Sequence, residues 1–312
     1  MYSRRTFLKI SAVLSALVAG GYLFKSSGNQ KVKHILSTAS HERLGISLSL
    51  SESTPKLELV LDEKSVIKGK KIDKAGKHWQ FISNKLVSDR SYQLQLFSED
   101  EPIYKTWKIK TFPDPEAETQ MVSIMSFTCP GGGDAFRASG REFFKPFSFR
   151  QNIFKEGLAK NPDFAISIGD HVYWDLRGES SPPVGRNSKL IKFFLGGYLR
   201  LRYGAFNRLE SADSETNESV LKKIGNEQIA SLYGTRFKST PIFFIPDDHD
   251  YFENDDAEED LVTFPADDFS KGAFKKIADL FYPPLLDTPN NKPGRNTGRI
   301  RYGDAFEGLI AD

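Results

Sequence analysis

The chain contains, in its middle, the stretch Phe164-Ala165-Ile166-Ser167-Ile168-Gly169-Asp170-His171-Val172-Tyr173. Its first five residues are mainly apolar without strict alternation, which predicts a strand buried on both faces of a parallel sheet. Gly169 allows a sharp turn after that strand, so we expect Asp170 to point into the crevice at the strand's carboxyl end. There its two oxygens could bridge two cations, and Tyr173 could offer a phenolate to a highly charged ion. The alternative is that Asp170 only caps a following helix.

Two other apolar runs, Met121–Phe127 and Ile242–Ile245, are predicted to be buried strands of the same sheet. Residues Asn152–Lys160 have the pattern of a helix between the first two strands. Strands alternating with a helix indicate an α/β domain, whose ligands bind beyond the carboxyl edge of the sheet.

Residues 176–238 are predicted to be an insertion into this domain. The insertion begins as a loop rich in Gly, Ser and Pro. Helical periodicity follows from Leu190 to Tyr233 and is broken by the polar run Ser211–Ser219.

The third strand is followed by Pro246-Asp247-Asp248-His249-Asp250-Tyr251-Phe252-Glu253-Asn254, and nine acidic residues fall between Asp247 and Asp260. A charge run is usually a solvated surface. Here it begins directly after an apolar strand, where cations would relieve the repulsion between carboxylates. Asp, Asn and His are ligands for hard and borderline metals. The segment therefore favours metal binding.

The first strand is followed by Thr128-Cys129-Pro130-Gly131-Gly132-Gly133, and Cys129 is the only cysteine of the chain. An intramolecular disulfide is therefore impossible. A single cysteine is either buried and inert or used for chemistry. Gly-rich turns are common, so this segment alone indicates no site.

The N-terminus carries Ser3-Arg4-Arg5-Thr6-Phe7-Leu8-Lys9 and then an apolar run from Ile10 to Phe24. This pattern resembles a twin-arginine export signal. It predicts a periplasmic or extracellular protein that meets the twin-arginine export machinery and touches the membrane only through residues 1–30. The alternative is an uncleaved anchor, but the run of roughly 15 residues is shorter than the about 20 that a spanning helix needs.

Residues 33–112 predict a small β-sandwich of the fibronectin type, which we interpret as a packing module rather than a binding domain. Gly45–Leu50 alternates as a strand with one buried face does, and Leu86–Tyr92 resembles a tyrosine corner. Pro113–Glu116 is a plausible hinge before the α/β domain, which we place at residues 120–312. The formal net charge of +2, from 43 basic and 41 acidic residues, indicates no nucleic-acid or membrane-surface partner.

Taken together, Cys129, Gly169-Asp170-x-x-Tyr173 and Asp247–Tyr251 with Asn254 resemble, in order and spacing, the motifs of PhoD-like (alkaline phosphatase D) metallophosphoesterases. The resemblance covers residues 120–312, and the export signal and N-terminal sandwich are similar to that family's layout. It implies a four-layer α/β metallophosphoesterase-like sandwich preceded by a small all-β, fibronectin-like domain. It also implies hydrolysis of phosphate mono- or diesters by a metal-activated hydroxide.

The resemblance also implies roles for particular residues. Iron(III) would be held by Cys129, Asp170 and Tyr173, and calcium by Asp170 and Asn254. Asp247, Asp248 and His249 would shape the site and meet the phosphate. Of these, Asp247 would be a further metal ligand, and Asp248 and His249 would be catalytic residues. Arg137 and Arg141 would help to hold the phosphate, but the residues themselves favour the interpretation that each is a solvated arginine.

One departure from the family concerns the end of the chain. PhoD-like enzymes complete their site with a later Asp-x-His motif, and no histidine follows His249 here. The catalytic domain is therefore expected to be incomplete, either as part of a longer protein or as a short form that is inactive or completed by another polypeptide. His171, where relatives often have an aromatic residue, is a smaller departure. Residues Arg299–Asp312 are predicted to be the return strand of a hairpin.

Two other functions remain open from the residues. The chain could be a non-catalytic exported module whose acidic segment binds calcium. It could also be a phosphatase that uses Thr128, beside Cys129, as a nucleophile.

Overall fold

The computed structural model describes residues 31–135, 137–138, 141–142, 144–173, 201–251, 268–288 and 297–311. The predicted export segment, residues 1–30, lies outside these ranges, as does Asn254. Within these ranges no helix combines the length and the apolar character that crossing a bilayer requires.

The N-terminal half consists of two antiparallel β-sheets. Its strands are β1 (Val32–Ala39), β2 (Leu44–Leu50), β3 (Glu58–Leu61), β4 (Ser65–Lys68), β5 (Lys70–Lys71), β6 (His78–Ser83), β7 (Ser91–Ser98), β8 (Glu101–Pro102) and β9 (Trp107–Lys110). The first sheet has the order β1-β2-β6-β5, and the second has the order β4-β3-β7-β8 with β9 also paired to β7. Apolar residues of both sheets, such as Ile46 and Leu94, share one core.

The turn predicted to be a tyrosine corner contains the hydrogen bond expected of one. The hydroxyl oxygen of Tyr92 accepts the backbone N–H of Val87 at 2.7 Å. The fibronectin type of the sandwich stays a prediction, because a tyrosine corner is one hallmark among several.

The prediction that β2 has a single buried face was wrong, since all seven of its residues are buried. Its polar face packs against the C-terminal half of the molecule. There the Ser47 hydroxyl donates to the carbonyl of Tyr282 at 2.8 Å. The Ser49 hydroxyl lies 2.6 Å from Nδ1 of His34 in β1, and Nε2 of that histidine lies 3.2 Å from the carbonyl of Phe281. Hydrogen bonds of this kind allow small polar side chains to be buried as completely as apolar ones.

The C-terminal half contains a parallel sheet in the order β10-β13-β14, formed by Ile124–Thr128, Phe164–Ile168 and Ile242–Ile245. Its other elements are β11 (Arg137–Ala138), β12 (Arg141–Glu142), α1 (Phe147–Leu158), α2 (Glu215–Gly225), α3 (Asp268–Phe281), β15 (Thr297–Tyr302) and β16 (Phe306–Ala311). A π-helix, Asn226–Ser231, continues α2, and a short 3-10 helix, Asp248–Tyr251, follows β14.

Several boundaries differ from those predicted. Helix α1 begins at Phe147 rather than Asn152, because Phe147 and Arg150 already face inward. Helix α2 begins inside the polar run that was expected to break it, since the Ser214 side chain accepts the N–H of Asn217 and caps the helix.

The two ends of the α/β half also differ from expectation. Strand β10 is not buried on both faces: Ser126 and Thr128 are exposed, and its pairing partner among the described strands is β13 alone. The segment near the C-terminus is a complete antiparallel hairpin of β15 and β16, not only a return strand.

Candidate metal centre

The three parallel strands end at one edge of the sheet, where three turns meet. The residues that follow β10 and β13 have left-handed backbones: φ is +50° at Cys129, +64° at Gly169 and +53° at Asp170. Such angles are costly for residues other than glycine and concentrate at functional sites. The two turns are joined because the N–H of Gly131 donates to the carbonyl of Asp170 at 2.9 Å. The prediction of Asp170 at the carboxyl edge is therefore matched by the backbone geometry.

Asp170 lies beside the acidic segment that follows β14. Potential ligand atoms of Asp170, Asp248 and His249 all lie within 4.8 Å of one another. Asp170 is 9% exposed, whereas Asp248 and His249 are partly buried. Two carboxylates and an imidazole from neighbouring strand ends thus converge on one small volume.

The two oxygens of the Asp170 carboxylate have different surroundings. Oδ2 accepts the phenolic O–H of Tyr173 at 2.9 Å. Oδ1 is buried and accepts no well-formed hydrogen bond from the part of the chain that the structure describes. A buried carboxylate oxygen without a donor is costly, and a bound cation would remove that cost.

Cys129 and Tyr173 lie against the same carboxylate. The Cys129 thiol is 3.2 Å from the Thr128 hydroxyl. Partial burial raises the pKa of the Cys129 thiol; the Thr128 contact works against this increase and the adjacent Asp170 carboxylate adds to it. Tyr173 is a further hydrogen-bonding neighbour of the thiol, and its ring centroid is 4.4 Å from that of His249.

Asp247 has a structural task at this edge. Its side chain packs on Gly169, where an added Cβ would lie 2.6 Å from the Cβ of Asp247. Its Oδ1 also accepts the N–H of Asp248 at 3.0 Å, which shapes the turn after β14. The role of Asp247 as a metal ligand stays a prediction.

The structure describes only the backbone of two other predicted site residues, Arg137 and Arg141, and does not describe a third, Asn254. The backbones of Arg137 and Arg141 belong to the β11–β12 hairpin, in which Ala138 pairs with Arg141. Their side chains, like the whole of Asn254, lie outside the described part of the structure. Their roles toward phosphate and calcium stay predictions.

The sequence reasoning missed the role of Asp250, which ties the last two turns together. Its Oδ1 accepts the N–H groups of His171 and Val172 at 2.9 and 3.0 Å, and its Oδ2 accepts that of Asp247 at 3.1 Å. Nδ1 of His171 lies 3.0 Å from Oδ2, and both side chains are almost completely buried. His171 is therefore completely buried beneath the turns of the candidate site. The sequence held a signal for this role, because His171 and Asp250 each directly follow a predicted site residue.

Arg150 was also missed, and it supports the loop Pro130–Gly133. Its buried guanidinium donates to all four carbonyls of that loop, at distances between 2.5 and 3.1 Å. Burial lowers the pKa of Arg150, and nearby acidic groups work against that change. No local pattern in the sequence distinguishes this arginine from a solvated one.

The residues gathered here fit a metal centre. Carboxylates and imidazole suit hard and borderline cations, whereas thiolate and phenolate suit iron. Oδ1 of Asp170, which has no well-formed hydrogen bond within the described ranges, is an atom that a cation could engage. We therefore regard this edge of the sheet as a candidate metal site.

Comparison with known proteins agrees on the fold. No protein-family model matches the chain, and no curated protein sequence matches it either. A solved structure of PhoD matches 91% of this chain and 52% of its own, with a TM-score of 0.55 and 12% sequence identity. A purple acid phosphatase, PPD1 from yellow lupin seeds, matches 89% of this chain and 44% of its own, with a TM-score of 0.49 and 12% identity. The chain thus spans about half the length of these structures, and its fold is similar to that of PhoD.

Proposed function

We propose that this protein is a metal-dependent phosphoesterase of the PhoD-like kind, exported through the twin-arginine route. The observation that carries the proposal is the convergence of Asp170, Asp248 and His249 within 4.8 Å, beside a buried carboxylate oxygen that accepts no well-formed hydrogen bond from the described residues. The similarity of the fold to PhoD supports the same conclusion.

The residues proposed to hold the cations are those that the resemblance to PhoD-like enzymes implies, and the neighbourhood of three of them supports the proposal. Cys129, Asp170 and Tyr173 are mutual neighbours and would bind iron(III). Asp170 would also hold calcium together with Asn254, which lies outside the described residues. When bound, such cations act as Lewis acids toward a phosphoryl oxygen and lower the pKa of water. Cys129 and Asp170 both have a positive φ directly after a strand end, and such strained backbones cluster at functional sites.

His249 and Asp248 would act on the substrate side of the site. Both are partly exposed, so a phosphate ester can reach them from solvent. The His249 imidazole would donate a hydrogen bond to a phosphoryl oxygen or transfer a proton to the leaving alcohol. Asp248 would orient that imidazole or share a cation with Asp170. The substrate class is a phosphate mono- or diester in the periplasm or outside the cell.

The proposal is tested by metal analysis and hydrolysis assays on the same purified full-length chain. We expect iron and calcium to be bound, and p-nitrophenyl phosphate or its bis ester to be hydrolysed. Asp170→Asn should lower metal affinity by more than the about 10–100-fold that is typical of outer-shell changes. The matched control is Asp279→Asn on the surface of α3, where Asp279 pairs with Lys275 at 3.0 Å.

Other results would favour the rival functions. Calcium alone, with no hydrolysis, would indicate a non-catalytic calcium-binding module. Loss of activity in Thr128→Val with metal content unchanged would indicate a threonine nucleophile. We expect Thr128→Val to retain activity, because in this proposal the Thr128 hydroxyl only contacts the Cys129 thiol and does not attack the substrate.

A further inference from the structure

One buried side chain, Gln228, joins the two turns that carry Cys129 and Tyr173. Gln228 is completely buried in the π-helix Asn226–Ser231. Short π-helical segments within α-helices are rare and often occur at functional sites. In this case the widened turn accompanies a polar side chain that faces the candidate metal centre.

The amide of Gln228 is fully engaged. Its Oε1 accepts the N–H of Gly132 at 3.0 Å and the N–H of Tyr173 at 2.8 Å, and its Nε2 donates to the carbonyl of Tyr173 at 3.0 Å. Gln228 is also a hydrogen-bonding neighbour of the Tyr203 phenol, whose pKa is raised chiefly by burial. Because a glutamine amide has two acceptor positions and two donors, these contacts use its whole capacity.

The two contacts with Tyr173 involve both polar groups of its backbone. Bonds to the N–H and the carbonyl of one residue fix its orientation as strand pairing does. The phenol of Tyr173 is then directed at Oδ2 of Asp170, 2.9 Å away. The bond to Gly132 holds the loop that begins at Cys129, and Arg150 grips the carbonyl groups of that same loop.

We propose that Gln228 is a positioning residue of the candidate metal centre. By fixing the backbones of Gly132 and Tyr173 against each other, it sets the separation between the Cys129 thiol and the Tyr173 phenol. The inference rests on the proposed function, and it adds a residue that acts through the metal ligands without contacting a cation.

The single cysteine provides a probe that needs neither metal nor substrate. Cys129 is exposed, so its alkylation by iodoacetamide in metal-free protein reports on this loop alone. Gln228→Leu removes every hydrogen bond of the amide. Gln228→Glu keeps the acceptor for Gly132 and Tyr173 but loses the donor to the Tyr173 carbonyl.

The matched control is Gln151→Leu. The Gln151 amide donates to the carbonyls of Ser231 and Leu232, at the end of the same helix, and does not reach either turn among the contacts described. We expect Gln228→Leu to raise the alkylation rate by about fivefold, because a released thiol is more exposed and lies farther from the Asp170 carboxylate. The rate in Gln228→Glu should be intermediate, and that in Gln151→Leu should equal the wild-type rate.

Metal affinity, measured by dialysis against iron(III) citrate or calcium, is the second readout. Outer partners of metal ligands typically contribute 10–100-fold, so we expect a loss of about tenfold in Gln228→Leu. If Gln228 had a purely structural role, Gln228→Leu and Gln228→Glu would lower the stability of the protein but leave the alkylation rate of the folded protein and its metal affinity unchanged. That result would overturn the inference.

The outcomes separate this inference from the proposed function. If wild-type protein binds no metal but Gln228→Leu is still alkylated faster, the phosphoesterase proposal fails and the positioning of the two turns stands. If wild-type protein binds metal and all variants are alkylated equally, the positioning role fails alone. If Gln228→Leu does not fold, Gln228→Glu decides by the same two readouts.

Discussion

Two buried aspartates show how differently this molecule treats carboxylates. Asp73, where the N-terminal sheets meet the helices, has a side chain that is 0% exposed. It accepts hydrogen bonds from the N–H groups of Lys77 and His78, from Nδ1 of His78 at 3.1 Å and from Lys222 at 2.8 Å. Asp170 is almost as buried, but one of its oxygens accepts a single phenol and the other has no well-formed partner among the described residues.

This difference indicates that the Asp73 carboxylate stabilises the fold, whereas the Asp170 carboxylate is available to a cation. Burial alone would raise the pKa of Asp73, but hydrogen bonds from His78 and Lys222 outweigh it and hold the pKa well below its ordinary value. Such a site favours the ionised carboxylate and stabilises the native state at neutral pH. Asp170 lacks this set of donors, and a cation would supply the missing interaction.

The largest effect on stability is expected from Asp73→Ala. Removing a buried carboxylate leaves His78 and Lys222 without their shared partner, so the free energy of unfolding should fall by about 3–5 kcal/mol. Urea denaturation checks this value. Asp279→Asn, at the surface of α3, should change it by less than about 1 kcal/mol. Equal losses in the two variants would remove the distinction on which the comparison depends.

A smaller loss is expected from Arg150→Met. The methionine fills similar space but leaves the carbonyls of Pro130–Gly133 without their shared donor, so stability should fall by about 2–3 kcal/mol. Because this loop carries Cys129, we also expect faster alkylation of the thiol. Arg236→Met is the control, since Arg236 donates to the carbonyls of Tyr233 and Leu232, a few residues earlier in the chain, at 3.3 and 3.4 Å. An unchanged alkylation rate in Arg150→Met would show that the loop keeps its shape without Arg150.

The region where the N-terminal sheets meet the helices, which we call the junction, contains the buried residues His34 and His78. It should make the free energy of unfolding depend on pH. Burial, with a smaller effect of His78, lowers the pKa of His34 from 6.5 to about 3, and burial lowers that of His78. The unfolded chain therefore binds more protons than the native state below pH 6.5, so stability falls as the pH falls. Between pH 6.5 and 5 the decrease should approach about 1.4 kcal/mol per pH unit for His34, and His78 should add to it in the same direction.

The variant that tests this pH dependence is His34→Gln. His34→Gln should reduce the slope of the unfolding free energy against pH by up to about 1.4 kcal/mol per pH unit, which is the contribution of one proton. A wild-type stability that stays flat or rises on acidification to pH 5 would contradict this account of the junction.

The smallest effect on stability is expected from Asp170→Asn in metal-free protein. The substitution removes a charge that has few native partners, so the free energy of unfolding should change by less than about 1 kcal/mol. A loss comparable to that of Asp73→Ala would mean that Asp170 has a structural role, and the comparison would fail.

The predictable parts of the site were those encoded by local pattern. The apolar run before Gly169, and the acidic residues directly after β14, correctly predicted that Asp170, Asp248 and His249 follow strand ends at one edge. The partners of these turns were not predictable in the same way. Gln228 lies 96 residues from Gly132, and a polar residue in a helical segment has no pattern that reveals such a contact.

The same limit explains the errors in the fold. The serines of β2 alternate with apolar residues, which predicts a solvent-facing side, yet Ser47 donates to the buried carbonyl of Tyr282. Only the packing of one half on the other reveals that this polar face is covered. Likewise, the exposure of Ser126 in β10 depends on the position of that strand in the sheet, which its own sequence does not determine.

The most direct test of the central claim is urea denaturation of wild-type protein and Asp170→Asn, each with and without added metal. A ligand that binds the native state at about 100 times its Kd stabilises it by about 2.7 kcal/mol. We predict that iron or calcium stabilises the wild type by this order and leaves Asp170→Asn unchanged. Equal stabilisation of both proteins, or of neither, would contradict the assignment of this edge of the sheet as a metal centre.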